Sequence, residues 1–468
     1  MKPVLLTTDI LFLGLVSAAI FYAWYASRHE HLSAPWREVK RNRMGMSAAV
    51  VLATFLTIGI LDSLHFYPRL NDGENNNNYS TELISVFDAL VTPMRTQVEK
   101  TYSAPFAIFA FAKENVELAN GKTAREFPRL KFGGAHLQSL DERAPDLLKK
   151  SVLGIVTGVC IWVALLALLV GLLSIARKSS MRVTLSTVLR GDSDTPWRVI
   201  VSTLAVIAVI VGMVIQLSPH YHMFGTDKVG TDVLYQTLKS IRTGLMIGTL
   251  TTLVMLPFAM ILGIMAGYFK GWIDDVIQYL YTTLSSIPSV LLIAAAALIL
   301  DAYMIRNAES FSSLVARADL RLLALCVILG ITSWTGLCRL LRGETLKLRE
   351  ISFVESARAF GVSHSTIIAR HMVPNVMHIV MISIVLDFSG LVLAEAALSY
   401  INIGVDPTME SWGNMINSAR LELAREPLVW WSLCAAFVFM FVLVLAANIF
   451  ADAVRDAFDP RLRVVHAH

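Results

Sequence analysis

ESARAFGVSHSTIIARHMVPN, residues 355–375, is polar and charged but lies between two long apolar runs. Phe353, Ala357 and Phe360 fall at i, i+4 and i+7, with Val354 beside them. That spacing is one apolar face of a short helix, which Gly361 ends. A small amphipathic helix between runs suited to lipid belongs at a membrane surface. The rest of the chain decides which surface.

The 468 residues are 55% hydrophobic and only 16% charged, with a mean hydropathy of +0.59. A soluble chain of this length carries about a quarter charged residues. Apolar runs near 9–27, 46–66, 152–176, 197–217, 244–268, 276–300, 321–341, 376–400 and 428–450 each approach the roughly 20 residues that cross a bilayer. The fold class is an all-α polytopic membrane protein with about nine transmembrane helices. A net charge of +4 says nothing of nucleic acid. Cys160, Cys326, Cys338 and Cys434 all lie in apolar spans without metal-ligand spacing, and read as core or lipid-facing thiols.

Basic residues orient the chain. RHEHLSAPWREVKRNR, after the first span, carries Arg28, Arg37, Lys40, Arg41 and Arg43, and no A-x-A cleavage pattern accompanies it. The first span therefore reads as an uncleaved anchor with its N-terminus outside. Alternation then places 67–150 outside, and 177–198, the FKGWIDD turn, the block Arg339–Pro374 and the C-terminus inside. The sparser 301–320 and 401–427 fall outside. Residues 355–375 are thus expected in the cytoplasm.

The external segment 67–150 begins with the low-complexity NDGENNNNYS, whose NYS is only a three-residue glycosylation match. Its runs ELISVFDALVTPM and FAIFAFAKENVELA are too short to span and read as amphipathic surface helices. The expectation is a small, mainly helical cap on the external side, the alternative being a peripheral decoration that stabilises the extra N-terminal helices.

No P-loop, H-E-x-x-H or G-x-S-x-G occurs, so no catalytic, nucleotide, cofactor or metal site is read. HYH at His220–His222 reads as an interfacial turn. Asp387 and Glu395 lie eight residues apart in the eighth span, on similar faces of one helix. Carboxylates in lipid are costly and mark functional candidates. A proton or cation relay is one reading; the favoured one is polar groups facing a bundle or a water-filled pathway, with Glu395 near the outer interface.

Glu355-Ser-Ala-Arg-Ala-Phe-Gly361, then Ile368, then Val373-Pro374-Asn375, resembles the EAA loop of ABC-importer permeases, E-A-A-x-x-x-G followed by I-x-L-P. Ser356 and Val373 replace the usual Ala and Leu. HMFGTDKVGTDVL (222–234) resembles the H-P-F-G-T-D-x-x-G-R-D-V-L segment of the C-type subunit of dipeptide, oligopeptide and nickel permeases, with Met223 and Thr231 in place of Pro and Arg. LAEAALSYINIGVDPTMESWGNMI (393–416) and FADAVRDAFDPRLR (450–463) look like later segments of the same family.

The resemblance covers 222–463 and implies a type I permease core over 191–468, with six spans and a coupling helix at 351–361. Residues 1–190, with three spans and the insert, would be an extension. It implies a role in ATPase coupling for Glu355, Ser356, Ala357, Arg358, Gly361, Ile368 and Pro374. Asp387 and Glu395 become candidates for the translocation pathway. The implied function is import of peptides or similar small solutes across a bacterial inner membrane, with no cofactor in this chain. The implied partners are a homologous permease, two cytoplasmic ATPases and an external solute-binding protein. An ion-coupled secondary transporter using the two acids, or a membrane scaffold with an external binding insert, are the alternatives from the residues alone.

Overall fold

The structure is a computed structural model that describes residues 2–69, 79–117, 123–191, 193–307 and 313–458. Most of NDGENNNNYS, part of the external 301–320 segment and the end of FADAVRDAFDPRLR lie outside the described residues. Helices α1 (Thr7–Arg28), α2 (Glu30–Arg41), α3 (Arg43–Ser63), α4 (Val86–Leu90), α5 (Thr92–Thr96), α6 (Arg143–Arg177), α7 (Met181–Arg190) and α8 (Trp197–Leu217) come first. Next are α9 (Val233–Phe269), α10 (Trp272–Ser286), α11 (Ser289–Arg306), α12 (Leu314–Ser333) and α13 (Thr335–Arg349). The last are α14 (Ser352–Ala359), α15 (His364–Ile367), α16 (Val373–Tyr400), α17 (Trp412–Glu422) and α18 (Trp431–Phe458).

Among the described residues, eight helices are long and apolar enough to cross a membrane. The seventh span read from the sequence, 321–341, falls on α12 and α13. α12 has 20 residues but carries Arg317, Asp319 and Arg321 near its start. The span read at 276–300 is split into α10 and α11 at Ile287–Pro288, where proline has no N–H to continue the ladder.

The chain divides into two compact units. One holds Met1–Val4, Lys40–Arg242 and Glu410–Ala446. Here α6 and α8 approach closely because Gly154 and Gly158 face Gly212. A Cβ at Gly158 would stand 2.5 Å from the Cα of Val209. Small residues one turn apart are what let two membrane helices touch backbone to backbone.

The insert in this unit is not mainly helical, which corrects the expectation. Among its described residues before α6 begins at Arg143, α4 and α5 are the helices, each of five residues. Strands β1 (Lys2–Val4), β2 (His65–Tyr67) and β3 (Ile84–Ser85) form an antiparallel sheet with Pro3 opposite Phe66 and Phe66 opposite Ile84. Strands β4 (Glu114–Glu117) and β5 (Thr123–Glu126) pair as a hairpin with Val116 opposite Ala124. Within FAIFAF (106–111), Phe106 turns the chain with φ +57°, and the segment around Phe109 then runs extended, bridging antiparallel to Arg129, so its burial alternates. Ile108 and Ala110 are buried while Phe109 is exposed, a period of two rather than 3.6. Its backbone pairs with 128–130, Ala110 N–H donating to Pro128 O at 2.8 Å and Leu130 N–H to Ile108 O at 2.9 Å.

The other unit holds Leu5–Val39, Thr243–Met409 and Ala447–His468. α1 is fastened to α12, where the Thr8 backbone N–H and hydroxyl both donate to Asp319, with all three groups buried. α2 lays Trp36 and Val39 on Val454, Ala457 and Phe458 at the end of α18.

The candidate coupling helix and the acids of the following span

The local sequence explains why α14 stops where it does. Phe360 ends the helix, Gly361 takes φ +74°, and a Schellman closure follows. Val362 N–H donates to Ala357 O at 3.1 Å and Gly361 N–H to Arg358 O at 3.0 Å. Ser363 then caps α15, its hydroxyl accepting from the Thr366 N–H. Glu355 in the first turn and Arg358 in the last both suit the helix dipole.

Burial around α14 differs from the face read in the sequence. Val354 is fully buried and Ala357 half-buried, while Phe353 is 43% and Phe360 87% exposed. The helix rests on Val354 and Ala357, one turn apart, which leaves Phe353 and Phe360 to one side of the seated face. Val354 enters an apolar cluster with Tyr268, Tyr281, Leu341, Ile367, Met372 and Val376. Ala357 and Ile368, both half-buried, pack against the same cluster. Glu355, Ser356, Arg358, Gly361 and Pro374 are exposed.

Polar contacts brace this platform. Tyr268 and His364 share a hydrogen bond of 2.8 Å between the phenol oxygen and Nδ1, and Arg349 donates to Tyr268 O at 2.8 Å. Lys270 pairs with Glu350 at 2.7 Å, and Arg342 grips Asp274 with two bonds of 2.6 and 2.7 Å. Between α15 and α16 the chain makes a π turn, Ile368–Met372, with Val373 N–H reaching Ile368 O. Pro374 follows in the first turn of α16, where its ring crowds the carbonyl four residues back; a widened turn relieves that crowding.

α16 carries both acids, but in different surroundings. Glu395 is 2% exposed and accepts from Ser399 Oγ at 2.7 Å. Asp387 is half-buried, eight residues nearer the platform. The structure gives the two acids no contact with each other.

A buried ionic centre in the other unit escaped the sequence reading. His222 Nδ1 lies 2.8 Å from Asp232 Oδ2, and its Nε2 lies 3.5 Å from Glu99 Oε1. The three side chains are at most 3% exposed. Glu99 also accepts from the N–H groups of Lys131, Phe132 and Gly133 at 2.8–2.9 Å. Burial opposes charge on both groups. Asp232 and Glu99 nonetheless push the His222 imidazole up to about 9, while His222 and the three N–H groups bring Glu99 down to about 2. Asp232 additionally caps α9, accepting from Leu234 and Tyr235 N–H. That cap is visible in the sequence; Glu99, far upstream in the insert, is not.

Backbone bonds complete the stitching. Glu99 N–H donates to Gly230 O, Phe106 N–H to His222 O, Thr226 N–H to Ser103 O and Gly134 N–H to His220 O, all at 2.8–3.1 Å. A Cβ at Gly230, which holds φ +81°, would collide with the backbone of Glu99. His220 and His222 are thus parts of a packed turn, and no group of His, Cys, Asp or Glu that could hold a metal occurs among the described residues.

The family model of the binding-protein-dependent transport system inner membrane component matches residues 259–464, which include the platform, α14 and both acids. The glutathione transport system permease protein GsiD of Pectobacterium atrosepticum is 31% identical over 244 residues, 52% of this chain and 73% of the relative. The chain belongs to this permease family. The oligopeptide transport system permease protein OppC of Mycobacterium bovis is 32% identical over 242 residues, 52% of this permease and 77% of the relative. The dipeptide transport system permease protein DppC of Lactococcus lactis is 30% identical over 240 residues, 51% and 64% respectively. The permease is therefore a multi-pass membrane protein whose family-like part is about half its length.

Proposed function

We propose that this permease carries peptides or similar small solutes through a bacterial inner membrane. In this reading it pairs with a homologous permease and is driven by two cytoplasmic ATPases, with cargo delivered by an external solute-binding protein. The peptide class rests on its relatives, which are named as glutathione, dipeptide and oligopeptide permeases. Residues 191–468 act as the transport core and 1–190 as an extension; with α12 counted as a further span, the N-terminus lies outside and the C-terminus in the cytoplasm. Asp387 and Glu395 border the pathway. The insert caps the external mouth.

The observation that carries the coupling role is α14 itself. It is a short helix with Glu355, Ser356, Arg358, Phe360 and Gly361 exposed, held from below by the fully buried Val354. A rigidly seated helix that offers charge, an aromatic ring and a glycine can enter an ATPase cleft and transmit closure to α16, a coupling between distant sites. Ile368 and Pro374 serve by shaping the link to α16.

The assembled transporter tests this. Glu355→Lys is expected to abolish uptake and substrate-stimulated ATP hydrolysis while the purified permease keeps its thermal melt. Normal uptake and ATP hydrolysis in that variant would remove α14 from the coupling role.

A further inference from the structure

Helix α7 has a feature that the transport reading does not use. Thr184 and Val188, each 1% exposed, face inward, and α7 touches both α6 and α8. Met181, Leu185 and Leu189, spaced four apart, form a stripe beside that buried pair and are 62%, 38% and 51% exposed. Arg182, Val183 and Arg190 lie on the remaining side, all exposed. Lys178 and Arg198 flank the helix and are exposed too. Asp194, the described acid in the loop to α8, is paired with Arg41 at 3.1 Å.

The connections determine what can cover the stripe. Only residues 178–180 join α7 to α6, so its start lies within about 14 Å of the end of a membrane-spanning helix. Lys178 turns the chain with φ +52° and Met181 folds back to Gly171 of α6. At the other end, Arg198 Nε donates to Leu189 O at 2.6 Å, tying α7 to the first turn of α8. A helix fixed at both ends to spanning helices sits where acyl chains meet headgroups. An apolar stripe bordered by arginines is the composition that membrane-surface helices use.

We propose that α7 lies in the plane of the membrane surface, with Met181, Leu185 and Leu189 in the acyl layer and Arg182 and Arg190 on the phosphates of anionic lipid. Val183, although apolar and 57% exposed, then faces water. The pair Leu189 and Val183 separates this arrangement from simple exposure, since both are open in the chain alone but only Leu189 enters lipid.

The test uses the full permease with its four native cysteines replaced by alanine, reconstituted in phosphatidylcholine vesicles with and without phosphatidylglycerol. An environment-sensitive fluorophore is placed at Leu189→Cys or, separately, at Val183→Cys. At position 189, quenching by brominated acyl chains should exceed quenching by aqueous iodide severalfold, and at 183 the order should reverse. Phosphatidylglycerol should strengthen the lipid quenching at 189. Arg182→Gln together with Arg190→Gln should erase that gain. Dominant iodide quenching at 189, shielding from both quenchers as a protein contact would give, or a phosphatidylglycerol effect that is absent or survives in the double variant would overturn the proposal. A label at Leu185→Cys repeats the measurement if the one at 189 disturbs the thermal melt.

Discussion

Gly361 holds φ +74° and has no atom within 4 Å of where a Cβ would stand. Inside the chain, then, a side chain there meets only backbone strain, about 1–2 kcal/mol for an ordinary residue and less for Asn, which tolerates the left-handed region. Gly361→Asn is expected to keep the thermal melt yet lose uptake, because its bulk obstructs an approaching ATPase. Uptake at the parental rate in Gly361→Asn would mean that no partner comes close to this position. His222 gives a pH dependence of definite sign. Its value is raised from 6.5 to about 9, so the stability it contributes is complete below about 6.5 and disappears as pH rises through 9. Glu99 is lowered from 4.5 to about 2, so its share is complete above 4.5 and is lost as pH falls through 2. The His222 shift corresponds to about 3 kcal/mol. Hydrogen exchange at Phe106 and Gly134, whose amides bond to the His222 and His220 carbonyls, should therefore be slowest relative to the intrinsic rate between pH 4.5 and 6.5. Protection that stays flat up to pH 10 would show that the imidazolium is not what holds the insert.

For α14 as an element, seating and contact are separable. Val354 is 0% exposed and Phe360 87% exposed. Val354→Ala should cost about 2 kcal/mol of stability through the cavity it leaves. Phe360→Ala should change the melt by less than about 0.5 kcal/mol, as surface substitutions do, and should reduce uptake instead. A Phe360→Ala permease that transports normally would place the coupling contact elsewhere on α14. The existence and limits of this helix were legible because Gly361 and the apolar spacing mark them locally. Which face it rests on was not, since Phe353, Val354, Ala357 and Phe360 are all apolar and only tertiary packing selects Val354 and Ala357. The insert was misread for a related reason. In FAIFAF the apolar residues are nearly continuous, so helical and extended periods both fit, and pairing with 128–130 selects the extended form.

On the scale of the whole molecule, the apolar runs sufficed to find the eight long apolar helices. Helical structure runs past several of them, α6 starting at Arg143, α9 at Val233 and α18 ending at Phe458, while Pro288 and the charges of α12 altered the sixth and seventh. The basic-loop asymmetry makes the arrangement testable. A cysteine introduced by Ser363→Cys, exposed between α14 and α15, should resist an impermeant thiol reagent in intact cells and react after lysis. Labelling from outside would invert the proposed topology. Contacts between distant segments were beyond the sequence. Asp319 gives no local sign that its partner is Thr8, and Glu99 none that its partner is His222, because burial of each pair is created by the fold.

The fastening of α1 to α12 also imposes an order on biogenesis. Thr8 and Asp319 are 311 residues apart. At ribosomal speeds of about 5–20 residues per second, the N-terminal helix waits roughly 15–60 s in the bilayer before its acceptor is synthesised. During that interval the polar end of α1, Thr8 and Asp9, has no Asp319 beside it, and exposing such groups to hydrocarbon is unfavourable. α1 is thus made long before it can be locked, and a nascent permease would depend on whatever shelters that end until α12 arrives.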